Sequence, residues 1–355
     1  TADFLDAVPA GQPFALQVNY KAPHASSCPA PQVSGKLDDR VMERHPMDTP
    51  EIAALMNDFV RNSFVDFAYR DEFNARIGDH NPFMRRYYEK IMSVERSVGQ
   101  IRAMLEARGL ADNTVIVFLS DHGIHFGEKH LYGKWTPYDA SLRMPFMLYD
   151  PRPRAAHGVV RKEMVLNIDV APTLLELAGL EVPDSMDGRS LLPLVKATPP
   201  PSTLAWRDHF FFEHFTSPAP MPYIARHQGI RTKTSKYIHW LDPQCDLEEF
   251  YQLNTDPEEI DNLIAHPEYR DRISALRNAF QQWRLETPSN YTYDVYGRQP
   301  QALAPKIDWD RFKQVRPEEY ERINQARKAL GATWEQAMED WDTRYKIGST
   351  AGYRY

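Results

Sequence analysis

The sequence predicts an α/β fold built on a mainly parallel central sheet, followed by a small antiparallel sheet with one helix packed on it. Three observations predict it. Val115 to Leu119 is an unbroken apolar run, β-branched at three positions and not alternating, as in a strand buried on both faces of a parallel sheet. Ahead of it Tyr87, Ile91, Val94, Val98, Ile101 and Leu105 recur at helical spacing, and Gly109 ends that helix. Past the three consecutive prolines of Ala197 to Pro201, read as a linker, short strand-like runs lead into one amphipathic helix.

Bulk properties bound the function. A chain of 355 residues holds a large core, and its length allows two or three domains. The net charge of −7 argues against nucleic-acid binding by bulk attraction, so an anionic ligand would have to be drawn by local cations. No stretch approaches the length of a membrane-spanning helix, and the first residues lack the basic and apolar regions of a signal peptide. Cys28 and Cys245 could form at most one disulfide and assign no redox compartment.

The elements follow in order. Pro13 to Tyr20 reads as a strand running into Lys21-Ala22-Pro23-His24, where Pro23 stiffens the exit and fixes where His24 points. Ser26 to Pro50 is a polar, proline-rich loop; Thr49-Pro50-Glu51 starts a helix with a hydroxyl cap, Pro in the first turn and an acid at the positive end. The apolar run ends at Ser120, placing Asp121 and His122 at a strand's carboxyl end, where open α/β sheets bind ligands and where two potential metal ligands invite a functional reading. Gly123 and Gly127 give backbone freedom to the loop that follows, and Phe146 to Tyr149 is a further strand. Asn167 to Gly179 is a capped helix in which Asp169 reads as a cap. His209–Phe215, Gly229–Thr232, Lys236–Leu241 and Glu249–Leu253 are the short strands, and the helix from Pro267 buries Tyr269, Ile273, Leu276, Phe280 and Trp283. The resulting division is 1–196, main α/β domain; 202–286, small α+β subdomain; and 287–355, an aromatic tail with two short helices. In the tail Trp334, Met338, Trp341 and Tyr345 form a stripe that packs on this chain or on a second copy in a homo-oligomer.

Four motifs in fixed order, Ser120-Asp121-His122-Gly123, Gly127-Glu128, Gly133-Lys134-Trp135 and Arg143-Met144-Pro145, resemble the metal-binding half of the sulfatase family, within the alkaline-phosphatase-like superfamily. Met186-Asp187-Gly188-Arg189, Gly229-Ile230-Arg231-Thr232 and Phe250-Tyr251-Gln252-Leu253 resemble its later segments. The resemblance implies an alkaline-phosphatase-like sandwich and sulfate-ester hydrolysis, on a sulfated carbohydrate or oligosaccharide. It implies a divalent metal, most often calcium, held in part by Asp121 and His122. Lys134 is implied at a sulfate oxygen and His24 at the leaving-group side; Lys21, His125, His214 and Arg231 are the implied substrate contacts. Everything in this reading requires Asp121, His122, His24 and Lys134 to share one anion pocket.

The departure from the family lies at the front. Its strand with paired aspartates and its Cys/Ser-x-Pro-x-Arg motif, the source of the formylglycine nucleophile, find no match: Ala30 stands two after Cys28, Gln32 follows Pro31, and Asp38-Asp39 follows no buried strand. The expectation is a chain lacking the nucleophile-bearing N-terminal part and incomplete alone, from a periplasmic or secreted enzyme. The competing readings are a phosphodiesterase or phosphonate monoester hydrolase of the same superfamily, and a non-catalytic sulfatase-like module.

Overall fold

The computed structural model describes residues 1–24, 27–57, 60, 80–153, 155–196, 205–214, 227–242 and 245–286. The linker and the tail helices read from the sequence lie outside them. In chain order the helices are α1 (Ala2–Ala7), α2 (Pro50–Leu55), α3 (His80–Ala107), α4 (Asp139–Leu142), α5 (Val170–Leu177), α6 (Leu192–Val195) and α7 (Arg270–Glu286). The strands are β1 (Ile116–Leu119), β2 (His125–Phe126), β3 (Tyr132–Gly133), β4 (Phe146–Tyr149), β5 (His209–His214), β6 (His227–Thr232), β7 (Ser235–Asp242) and β8 (Cys245–Gln252). The chain forms two compact units: Thr1–His45, Phe73–Ile124 and Asp139–Phe210 in one, Pro46–Glu72, His125–Tyr138 and Phe211–Tyr355 in the other.

In the first unit α3 is longer than its apolar period, because its N-terminal half uses a polar face. Val94 and Leu105 are buried as expected, whereas Ile91 is 41% exposed. Glu89 and Lys90 are buried in its place, and with Ser93 and Ser97 they bind the segment from Tyr20 to Leu37. That segment corrects a prediction: Pro13 to Tyr20 forms no strand, and Leu16 and Val18 stay 37% and 39% exposed. A strand exists only with a ladder partner, and the helix supplies side chains instead. The strand β1 pairs antiparallel with β4, Phe118 opposite Met147. The expectation of burial on both faces is corrected too: Ile116 to Phe118 are half-buried and Leu119 is 37% exposed. An apolar run fixes a strand's composition but not the direction of its neighbour.

Gly109, with φ of 65°, closes α3, and Leu110 N–H returns to Leu105 O. Asp169, fully buried ahead of α5, accepts from the backbone N–H of Leu166 and of Arg189 at 2.8 Å each, and the Arg207 guanidinium grips both its oxygens. It makes the reach-back bond of a capping box on Leu166 and anchors an ion pair with Arg207, but gives α5 no side-chain cap bond, which corrects the simple helix cap expected.

In the second unit β5-β6-β7-β8 form one sheet, with Ile230 opposite Tyr237 and Tyr237 opposite Phe250. On that face Ile230, Tyr237 and Phe250 pack against Ile273, Leu276 and Phe280 of α7, and Trp283 stacks on Phe211 at 4.6 Å between ring centroids. The opposite face carries Lys236, Glu249 and Tyr251, which the register puts side by side, and on it lies the loop of β2 and β3. Lys129 of that loop sits 4.4 Å and 4.9 Å from the ring centroids of Tyr138 and Tyr251 and donates to the main-chain oxygen of Glu259. Lys236 donates to Pro137 O at 3.0 Å and pairs with the Glu259 carboxylate at 2.6 Å. Tyr138 and Tyr251 both donate to Glu249 at 3.0 Å. Burial pushes the Lys129 ammonium down and the Glu249 carboxyl up, and each partner's charge opposes the shift.

Removing one member of such a group strands its partner. Lys129→Met is expected to cost about 3–5 kcal/mol in a denaturant titration, and Lys129→Met with Glu249→Gln distinctly less than the sum of the two single changes. Additive costs would show that the two residues do not interact.

Candidate active site

The strand β1 delivers Ser120, Asp121 and His122 to its carboxyl end, and close packing fixes the turn. Gly123 N–H donates to Ser141 O at 2.8 Å, and a Cβ at Gly123 would lie 2.2 Å from Ala140 O and 2.4 Å from Arg143 O. No side chain fits there, which is why a glycine must follow the histidine. Ser120 Oγ donates to His122 O at 3.0 Å, and Asp121 Oδ1 accepts the His122 backbone N–H at 3.1 Å.

The His122 ring orientation has a chemical consequence. Its Nδ1 lies 2.7 Å from Gly123 O, a pure acceptor, so Nδ1 carries a proton. In the neutral ring Nε2 is then a lone-pair donor, and it stands 3.3 Å from Asp121 Oδ2, whose side chain is 83% exposed. Two electron-rich atoms at that distance can share a metal cation. A histidine held at one nitrogen by a carbonyl is oriented to ligate a metal through the other. The pair therefore fits a metal as part of its shell. Among the described residues no group of three or more His, Cys, Asp and Glu side chains is arranged to hold one.

The same unit holds Lys21 and His24, both exposed. His24 N–H donates to Lys21 O at 2.9 Å, making a turn across the cis Ala22–Pro23 peptide. The His24 carbonyl accepts from Ser27 N–H at 3.0 Å, Ser27 Oγ at 2.7 Å and Lys90 Nζ at 3.2 Å. Cys28 is an exposed free thiol.

The other unit holds Lys134, His125, His214 and Arg231. Lys134 is half-buried with its ammonium 5.2 Å from the Trp135 ring centroid, in a loop where Lys129, His130 and Trp135 all take positive φ. His125, expected on the rim, is fully buried: Nδ1 is 3.2 Å from Glu128 O and Nε2 2.8 Å from Thr136 Oγ. Both nitrogens serve the loop's own interior, so a substrate contact there is corrected to a structural one. His214 stacks on His227 with centroids 5.3 Å apart, its Nε2 is buried without a hydrogen-bond partner, and burial lowers its pKa. Arg231 is half-buried opposite Lys236 and donates to Thr232 O at 3.0 Å.

Sequence reasoning missed several supports. Lys90 and Glu89 were hidden in a helix read for its apolar stripe; the polar spacing of Glu89, Lys90, Ser93 and Ser97 was the available signal. Asp48 was missed as well: it lies 2.8 Å from His130 Nδ1 and accepts the Tyr132 hydroxyl at 2.6 Å. No local pattern marks it.

Two family models match the chain: "Sulfatase" over residues 1–180 and "N-sulphoglucosamine sulphohydrolase, C-terminal" over 127–286. An arylsulfatase of Clostridium perfringens is 30% identical over 281 residues, 78% of this chain and 54% of that protein. An N-acetylglucosamine-6-O-sulfatase of Bacteroides thetaiotaomicron is 31% identical over 214 residues, 59% of this chain and 37% of that protein. The chain thus spans about half or less of these relatives. A solved structure in complex with D-glucosamine-2-N,6-O-disulfate superposes with a TM-score of 0.68 at 25% identity, covering 83% of this chain and 69% of that one. Family membership brings with it, in general terms, a divalent metal and a formylglycine nucleophile. By its residues 1–180 and the fold they form, the chain belongs to the sulfatase family.

Proposed function

We propose that the protein hydrolyses sulfate esters of a sulfated carbohydrate. The observation that carries the proposal is the Asp121 carboxylate beside the tautomer-fixed Nε2 of His122, at the end of β1 in a chain of this family. The glucosamine-sulfate chemistry of two relatives supports the substrate class. A polymeric sulfated sugar is met outside the cytoplasm, which favours a periplasmic or secreted setting.

The roles follow from the side chains. Asp121 and His122 hold a divalent cation, calcium by family resemblance, with Ser120 and Gly123 fixing both donors. When bound, such a cation offsets the sulfate's negative charge. Lys134 offers a compact ammonium to a sulfate oxygen, its stem held along Trp135. His24 donates a hydrogen bond or proton to the departing alcohol oxygen. Lys21, Arg231 and His214 contact the sugar or a neighbouring sulfate. No residue of this chain is assigned as the nucleophile, since Cys28 lacks the motif.

Two outcomes are expected of the full-length protein. Asp121→Ala and Lys134→Ala should each lower kcat/KM for an aryl sulfate and for a sulfated glucosamine by about 10²–10³, and chelation followed by calcium should remove and restore wild-type turnover. The wild type should also prefer the sulfate ester to a matched phosphonate monoester or phosphodiester. A reversed preference would make it a phosphoryl or phosphonyl hydrolase, and absence of both activities and of metal binding by calorimetry would leave a binding module.

A further inference from the structure

The turn that carries His24 has no ladder to hold it. Residues 13–20 ahead of it pair with no strand, and two of its own bonds, His24 N–H to Lys21 O and Ser27 N–H to His24 O, are local. A long-range bond to its apex comes from Lys90, at the middle of α3. The Lys90 side chain is buried, 5% exposed, and its ammonium donates to the His24 main-chain oxygen at 3.2 Å across 66 residues of sequence. Burying an ammonium is costly unless something repays it, and the His24 carbonyl, which also accepts from Ser27, is one group that does. A structural lysine on a helix would ordinarily reach for solvent along its stem. This one turns inward, and a backbone oxygen it binds is that of the residue with the leaving-group role.

The neighbouring contacts have the same character. Glu89 accepts Leu37 N–H at 3.2 Å, Ser93 accepts Ala30 N–H at 2.9 Å, and the Tyr20 and Ser97 hydroxyls lie 2.9 Å apart. One face of α3 thus binds this segment on both sides of His24, and at His24 the binding group is the one cation among these four.

We propose that Lys90 is a positioning residue for His24: by clamping its carbonyl it sets where the imidazole stands against the departing alcohol oxygen. The inference rests on the leaving-group role given to His24 above. It has a signature that a merely structural lysine lacks. Positioning a general acid matters in proportion to how much the leaving group needs a proton. An alkyl sulfate, with a poor leaving group, should suffer from a loosened His24, and an aryl sulfate with an acidic phenol far less.

The test uses the full-length protein and the ratio of kcat/KM for an aryl sulfate to that for an alkyl sulfate. His24→Ala should raise the ratio by ~100-fold, Lys90→Met by ~10-fold, and the double variant no more than His24→Ala alone, while Lys90→Arg, which keeps a donor, should return toward the wild-type ratio. Amide hydrogen exchange of residues 21–28 should quicken in Lys90→Met at temperatures where its global unfolding is unchanged; Lys90→Gln serves if the methionine variant does not fold. Unchanged exchange in the turn overturns the clamp. A raised ratio in His24→Ala with none in Lys90→Met, or additive effects in the double variant, overturns the positioning role while leaving the leaving-group reading intact. An unmoved ratio in His24→Ala removes that reading, and Lys90 is then a stabilising contact only.

Discussion

A lysine ammonium bound to a main-chain carbonyl inside the protein recurs at the loops that carry the proposed site residues. Lys129 and Lys236 bind Glu259 O and Pro137 O in one unit, and Lys90 binds His24 O in the other. In the sheet unit the charges are balanced within the cluster, Glu249 and Glu259 answering two lysines, with Tyr138 and Tyr251 spending their hydroxyls on Glu249. Such a cluster is no cheap source of stability, because desolvating four charges costs about as much as their attraction returns. Its value is geometric. A greasy face would let the short β2–β3 loop slide, whereas ammonium-to-carbonyl bonds define one register for it.

That register sets the backbone of the loop holding Lys134. Lys129, His130 and Trp135 occupy the left-handed region, which costs roughly 1 kcal/mol or more per residue and persists only where surroundings over-determine it. The clamps at Lys129 and Pro137 bracket the strained stretch on both sides. His125, buried between Glu128 O and Thr136 Oγ, ties its two ends together from inside.

How much of this was legible in the sequence divides along a physical line. Local signals were sound: the Thr49 cap, the Gly109 stop, β4, the four strands of the small sheet and the apolar face of α7 all depend on neighbours within a few residues or on simple periodicity. The place of Asp121 and His122 just past β1 was legible because a strand's end is visible as a change of polarity. Partner-dependent features were not. Whether Pro13 to Tyr20 is a strand turns on a ladder partner, and whether β1 is buried on both faces turns on what covers it. His125 looked like a rim residue because a polar loop is ordinarily solvated; its partner Thr136 is eleven residues away and no periodicity links them. The Lys129 clamp spans 130 residues.

The choice of carbonyls as the clamped atoms has a consequence for how such a site can diversify. A bond to a backbone oxygen is indifferent to the side chain of the residue that bears it, so the clamped position is free to carry whatever chemistry the substrate demands. His24 is held by its own main-chain oxygen, and its imidazole contributes nothing to that bond. Pro137 and Glu259 are gripped in the same manner. The scaffold residues can then stay fixed while loop side chains change to suit a different ligand, at the cost of keeping ammonium groups buried. A site whose loops were instead held by contacts between their own side chains would have to rebuild its support with each change of specificity. On the role proposed for His24, support and chemistry are carried by different atoms of the same residue, and that separation points to positioning groups remote in sequence from what they hold, as Lys90 is from His24 and Lys236 from Pro137.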